Sequence, residues 1–187
     1  MATLTVKDSN HTTADTDEIR EFLSPFGIWY QRFDGLADVS EDANDEEILA
    51  AYEKPIKAQM ESGGYVTADV INIYPDIPNL GAMLSKFEKE HWHDEDEVRF
   101  IVKGSGLFHV NPKDGPVFSL EVVKGDMINV PRGTHHWFHM CPDMTVRAVR
   151  LFQSTAGWTP NYTESGQDKG YEPLCFGPAF IPASTIL

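Results

Sequence analysis

The stretch "EHWHDEDEVRFIVKGSGLFHV", Glu90 to Val110, marks a change in the texture of the chain. Its first eleven residues hold two histidines, five acids and one arginine. Four of the acids, Asp94 to Glu97, are consecutive, and acids at that density repel one another. From here on, short strand-like runs follow closely: "EVRFIV", "GLFHV", "VFSLEVV", "DMINV", "HHWFHM" and "TVRAVRLF". Turn signals separate them at Lys103-Gly104, Asn111-Pro112, Lys124-Gly125 and Pro131-Arg132-Gly133. Runs of this kind predict a mainly β protein, an antiparallel sandwich or barrel.

Before Glu90 the pattern is mixed. "TADTDEIREFLSPFG" reads as a short capped helix ended by Pro25 and Gly27. "IWYQRF" and "YVTADVINIY" read as strands, and "NLGAMLSKF" as a short helix. "DVSEDANDEEILAAYEKPIKAQMESGG" is helical, with Ile48, Leu49 and Tyr52 as an apolar stripe and Gly63-Gly64 closing it. Pro55 is expected to kink or split it. At 187 residues the chain suits one domain, residues 1–187. Its helical part spans about 15–87, its barrel about 65–153 and an irregular Gly/Pro/Tyr-rich tail 154–187.

A net charge of −14 argues against nucleic acid or an anionic membrane surface as partner, since either needs a basic face. A small anion can still bind at a metal ion or a buried arginine. Cys141 and Cys175 form no C-x-x-C pair, so no disulfide framework is expected. The opening "MATLTVKDSNHTT" lacks a continuous apolar stretch, and no run reaches the length of a membrane span. The expected setting is the reducing cytoplasm.

In an extended chain His91 and His93 project to the same side. Glu97 can join them if the chain turns over Asp94 to Asp96 and re-enters the sheet. Two imidazoles and a carboxylate suit a first-row divalent metal such as iron or nickel. Asp94, Glu95 and Asp96 then form a solvated turn. Taken alone, H-x-H more often marks surface residues of an edge strand. A second stretch, "GDMINVPRGTHHWFHM", Gly125 to Met140, adds a tight turn at Pro131 and Gly133 and then a histidine. His135 and His136 must face opposite ways in a strand, and a one-residue bulge can exchange them. Phe138 shares the face of His136. Arg99 shares the face of Glu97, where it can meet a substrate anion or neutralise its acidic neighbours. Arg150 can reach the cavity or pair with an acid. His109 and His139 have no spacing that ties them to the cluster.

"HxHxxxExxxxxxG", His91 to Gly104, and "GxxxxxPxGxxH", Gly125 to His136, resemble the two motifs of the cupin superfamily. Ser85 stands where the first motif often opens with glycine, and Met140 where the second often ends in asparagine. The cupin spacing selects His136 over His135. "KEHWHDEDEVRFIVKGSGLFHV", "VPRGTHHWFHM", "VRAVRLFQSTAGWTPNY" and "TADVINIYPDIPNLGAMLSKF" together look like the acireductone dioxygenase family, in its bacterial branch. The resemblance runs from about Glu18 to about Tyr162. It implies a cupin-type antiparallel β-barrel (double-stranded β-helix) with helices packed outside. It places metal ligands at His91, His93, Glu97 and His136, a substrate-contacting arginine at Arg99 and an aromatic near the mouth at Trp158. It implies one Fe2+ or Ni2+ per chain and a monomer. The substrates would be dioxygen and the acireductone 1,2-dihydroxy-3-keto-5-methylthiopentene of methionine salvage. Iron would give formate and 4-methylthio-2-oxobutanoate. Nickel would give formate, carbon monoxide and 3-methylthiopropanoate. A metal-dependent cupin isomerase and a non-catalytic metal- or ligand-binding cupin are the competing readings.

Overall fold

The computed structural model describes residues 1–155 and 158–171. Cys175 and the rest of the tail beyond Tyr171 lie outside the described residues. In chain order the elements are β1 (Thr3–Val6), β2 (His11–Thr13), α1 (Thr16–Leu23), β3 (Trp29–Arg32), α2 (Asp45–Ala51), α3 (Glu53–Gly63), β4 (Thr67–Ile73) and α4 (Leu80–Leu84). There follow β5 (His91–Trp92), β6 (Glu97–Asn111), β7 (Phe118–Val123), β8 (Asp126–Val130), β9 (His135–Met140), β10 (Val146–Phe152) and β11 (Asn161–Tyr162).

The helix starts follow local chemistry. The Asp15 side chain accepts from the backbone N–H groups of Asp17 and Glu18 and caps α1. Asn44 and Glu47 exchange hydrogen bonds in a capping box that opens α2. The long helix expected around Pro55 is split, with the break at Tyr52. A proline ring collides with the carbonyl four residues earlier, here that of Ala51, so the first helix ends at that residue. Pro55 then sits in the first turn of α3, where its missing N–H costs nothing.

Among the described residues every strand pairing is antiparallel. Two sheets share the 15-residue β6. Its first half lies between β8 and β10, whose far sides carry β3 and β4. Its second half lies between β7 and β9 in the order β11-β5-β9-β6-β7-β1-β2. The architecture is thus mainly β with helices outside, as expected. Among the described residues the two sheets are joined through β6, and the ladder does not close into a ring. The first thirteen residues, to which no element is assigned from sequence, supply β1 and β2.

Lys103-Gly104 is not the expected turn. "EVRFIV" and "GLFHV" are one strand with a bulge: Arg147 pairs with Lys103 and Ala148 with Ile101, which skips Val102. The bulge exchanges the faces of the strand. Before it, Ile101 belongs to the core between the sheets, while Val98, Phe100 and Val102 belong to a second core. After it, the even-numbered Phe108 and Val110 turn to the inter-sheet core. That core also gathers Leu4, Phe118 and Leu120 from one sheet and Ile128 and Ala148 from the other. The second core is covered by Ile48, Tyr52 and Ile56 of the α2–α3 region. No helix among the described residues is long and apolar enough to cross a membrane.

Gly104 makes the bend possible. It has φ +72°, and a Cβ there would lie 1.9 Å from the carbonyl oxygen of Thr145. Gly104→Ala is expected to cost about 3 kcal/mol, combining a left-handed non-glycine residue with a backbone clash. A urea unfolding midpoint near that of the parent protein would show that the bend tolerates a side chain.

Candidate metal centre

Strand β5 is only two residues long, yet it is held on both sides. His91 pairs with His136 of β9, while Trp92 and His91 pair with Asn161 and Tyr162 of β11. The chain turns over Asp94 to Asp96, and β6 begins at Glu97. These constraints bring His91, His93, Glu97 and His136 together, with ligand atoms all within 4.8 Å of one another. All four side chains are buried.

Their hydrogen bonds decide which atoms are offered. Nδ1 of His91 lies 2.7 Å from the carbonyl oxygen of Lys89. Nδ1 of His93 lies 3.0 Å from that of Thr159, and Nδ1 of His136 lies 2.9 Å from that of Thr134. A carbonyl only accepts, so each Nδ1 carries a proton and, in the neutral ring, each Nε2 presents a lone pair. Nε2 of His93 and Nε2 of His136 each lie 3.0 Å from Oε2 of Glu97. Two lone pairs against an anionic oxygen repel unless a cation stands among them. The donor set therefore fits a divalent metal held by three imidazole nitrogens and one carboxylate.

The charges are arranged to suit. Burial, with the neighbouring His136 adding to it, pulls the His91 imidazole down to about 4, so it is neutral at pH 7. Burial pushes the Glu97 carboxyl up, but the Arg99 charge outweighs it and holds it well below its usual range. Arg99, itself buried, donates from Nε to Oε1 of Glu97 at 2.8 Å.

Beside the cluster lies a cavity. His91, Glu97, Arg99 and His136 form its polar side, and Ile71, Ile73, Phe87, Phe108, Phe138 and Val146 are among its apolar walls. Phe138 lines it. Trp158 is not among the lining residues; its ring stacks on that of His93 at 5.9 Å, and the Arg99 guanidinium lies 4.6 Å from its centre. Arg150 does not reach the cavity either. It pairs with Asp69 through two hydrogen bonds of 2.7 and 2.5 Å. Phe87, the last residue of the stretch "NLGAMLSKF", also lines the cavity; its carbonyl accepts from the Phe138 N–H at 2.9 Å, which brings it there.

The register question resolves to His136, which is buried, while the His135 side chain is 42% exposed. His109 and His139 stand apart from the cluster. They bond to each other at 3.0 Å, and His109 also bonds to Ser119 at 2.7 Å. Burial, helped by His139, pushes the His109 imidazole down to about 3.

The acidic turn is not simply solvated. Asp94 is exposed, but Glu95 accepts from the backbone N–H groups of Gln153 and Ser154 at 3.2 and 3.3 Å. Asp96 accepts from the Arg132 N–H at 2.9 Å and from the Tyr65 hydroxyl at 3.4 Å, and its carbonyl accepts from Trp158 Nε1 at 3.1 Å. These donors come from distant segments, so the turn ties together the loops around the centre. Asp96→Ala is expected to cost about 1–3 kcal/mol by stranding the Arg132 N–H and the Tyr65 hydroxyl. Asp94→Ala should stay within about 0.5 kcal/mol. Both should retain metal in elemental analysis, and loss of metal in Asp96→Ala would make that carboxylate a ligand.

Comparison with known proteins agrees with this geometry. The model of the ARD/ARD' family matches residues 6–160. An acireductone dioxygenase of Picosynechococcus sp. is 42% identical over 174 residues, covering 93% of this chain and 99% of the relative. One of Marinobacter nauticus is 39% identical over 174 residues, covering 90% and 92%. Among solved structures, acireductone dioxygenase from Bacillus anthracis with a cadmium ion in its active centre superposes with a TM-score of 0.80 at 36% identity. That match covers 87% of this chain and 98% of the other. The fold is accordingly the cupin fold of that enzyme, and the chain belongs to the acireductone dioxygenase family.

Proposed function

We propose that the protein is a metal-dependent dioxygenase that cleaves the acireductone 1,2-dihydroxy-3-keto-5-methylthiopentene with dioxygen in methionine salvage. The observation that carries this reading is the buried set of three Nδ1-anchored imidazoles and Glu97, opening on a cavity with one arginine and apolar walls. His91, His93, Glu97 and His136 would hold one Fe2+ or Ni2+. When bound, that ion supplies a Lewis acid and a template for two substrate oxygens.

The chain's own residues do the rest. The carbonyls of Lys89, Thr159 and Thr134 hold the Nδ1 protons and aim the imidazoles. Arg99 commits Nε to Glu97. Its remaining N–H groups are left to donate to an enediolate oxygen, where a planar fork suits an anion. Ile71, Ile73, Phe87 and Phe138 offer the methylthio chain an apolar wall that excludes water. Iron is expected to yield formate and 4-methylthio-2-oxobutanoate, and nickel formate, carbon monoxide and 3-methylthiopropanoate. We take the chain to act as a single domain and a monomer in the cytoplasm. A sugar-phosphate isomerase would want several basic groups at the cavity, but Arg150 is engaged by Asp69.

Oxygen uptake and product analysis after adding acireductone to iron- or nickel-loaded protein test the reading directly. No uptake with either metal would overturn it. His93→Ala should lose most of its metal, because no carboxylate of the acidic turn lies close enough to replace the missing nitrogen. Full metal content in that variant would remove His93 from the ligand set. Arg99→Lys should keep its metal and lose roughly ten- to a thousand-fold in turnover, the scale of one oriented electrostatic contact. Near-normal turnover in Arg99→Lys and in Arg99→Ala would leave the arginine as an ion-pair partner of Glu97 alone.

A further inference from the structure

Glu90 precedes the first histidine of the cluster and is 2% exposed. Among the described residues its basic neighbour is His135, whose Nδ1 lies 4.0 Å away. Its carboxylate is occupied by neutral donors. One oxygen accepts from Asn111 Nδ2 at 2.7 Å, and the other accepts from the hydroxyls of Thr163 and Ser165. The Glu90 carbonyl accepts from the Thr163 N–H at 3.2 Å. A carboxylate only accepts, so both hydroxyls must donate to it and the geometry has one solution. Burying an ion without a close counter-ion is unfavourable. Glu90 must therefore do something that an apolar residue could not.

The segment it holds lies along the ligand strand. Residues 158–165 run beside β5. Trp158 stacks on His93, and the carbonyl of Thr159 is the acceptor that sets the His93 tautomer. Asn161 donates to the carbonyl of Trp92 at 3.4 Å, and β11 completes the sheet next to His91. Tyr162 is 45% exposed, so hydrogen bonds carry much of what holds this strap down. Segments with few buried apolar contacts open at low cost.

We propose that Glu90 is a positioning residue: with Thr163 and Ser165 it locks the strap 158–165 against β5, and the locked strap keeps Thr159 and Trp158 on His93. The proposal rests on the metal reading above. Opening of the strap frees the Nδ1 proton of His93 from its acceptor and uncovers its ring, so the lock governs how fast metal escapes. Loss of a hydrogen-bond partner to a metal-binding histidine typically weakens metal binding 10- to 100-fold.

The test uses full-length protein loaded with nickel(II). Amide hydrogen exchange is followed over residues 158–165, and nickel release is followed after excess EDTA is added. In the double variant Thr163→Val, Ser165→Ala, strap exchange should quicken at least about ten-fold, and nickel release should quicken about 10- to 100-fold. Thr163→Ser keeps the donating hydroxyl and should restore parental values of both, which a packing defect would not do. Unchanged strap exchange in the double variant would show that there is no lock. Faster exchange with unchanged nickel release would show that the strap does not act on the centre. A parent protein that holds no nickel would overturn the metal reading itself, before any variant is made.

Discussion

The structure turns on one buried negative charge. Glu97 is withdrawn from water with two imidazole nitrogens at 3.0 Å and the Arg99 guanidinium at 2.8 Å. An ion in such a place is stabilised by the opposite charge and hydrogen bonds around it. Arg99 satisfies one oxygen. The other is left facing Nε2 lone pairs whose Nδ1 protons are already committed to backbone carbonyls, a balance that a divalent cation completes. The acids clustered in the sequence divide accordingly. Glu97 faces the metal centre, Glu95 and Asp96 tie loops together, Glu90 receives the C-terminal strap, and Asp94 is left to water.

Delivering Glu97 and Arg99 to the interior depends on how β6 changes face. Without the bulge at Val102 and Gly104, a strand with odd-numbered residues inward at its start would turn Phe108 and Val110 outward at its end. With it, one strand lines the metal centre and the inter-sheet core in turn. The same bend lets β6 join both sheets, so the ligand on its first half faces the histidines of β5 and β9, which belong to the sheet of its second half.

Much of the centre was legible from residue spacing. Alternation along a strand puts His91 with His93 and Glu97 with Arg99, because that periodicity is a property of the extended backbone itself. Pro131-Arg132-Gly133 announced the turn before His136. The pocket was less legible. Phe138 follows from alternation, but Arg150 has an ion pair with Asp69 on the neighbouring strand, and no local pattern reveals a cross-strand partner. The tasks of Glu95 and Asp96 were hidden for the same reason, since their donors lie 31 to 62 residues away.

The sequence by itself determined a mainly β protein, the capped helices and the offer of His91, His93 and Glu97 as ligands. Each depends on neighbours within a few residues, where sterics and backbone periodicity act directly. The tertiary structure decided what depends on distant segments. It decided that His136 and not His135 faces inward, because pairing with Val110 and His91 sets its side. It read Lys103-Gly104 as a bulge and not a turn, because Thr145 and Arg147 pack against it. It also chose the nitrogen that His93 presents, because the carbonyl that holds the other belongs to Thr159, 66 residues away, whereas His91 and His136 bond to carbonyls only two residues earlier.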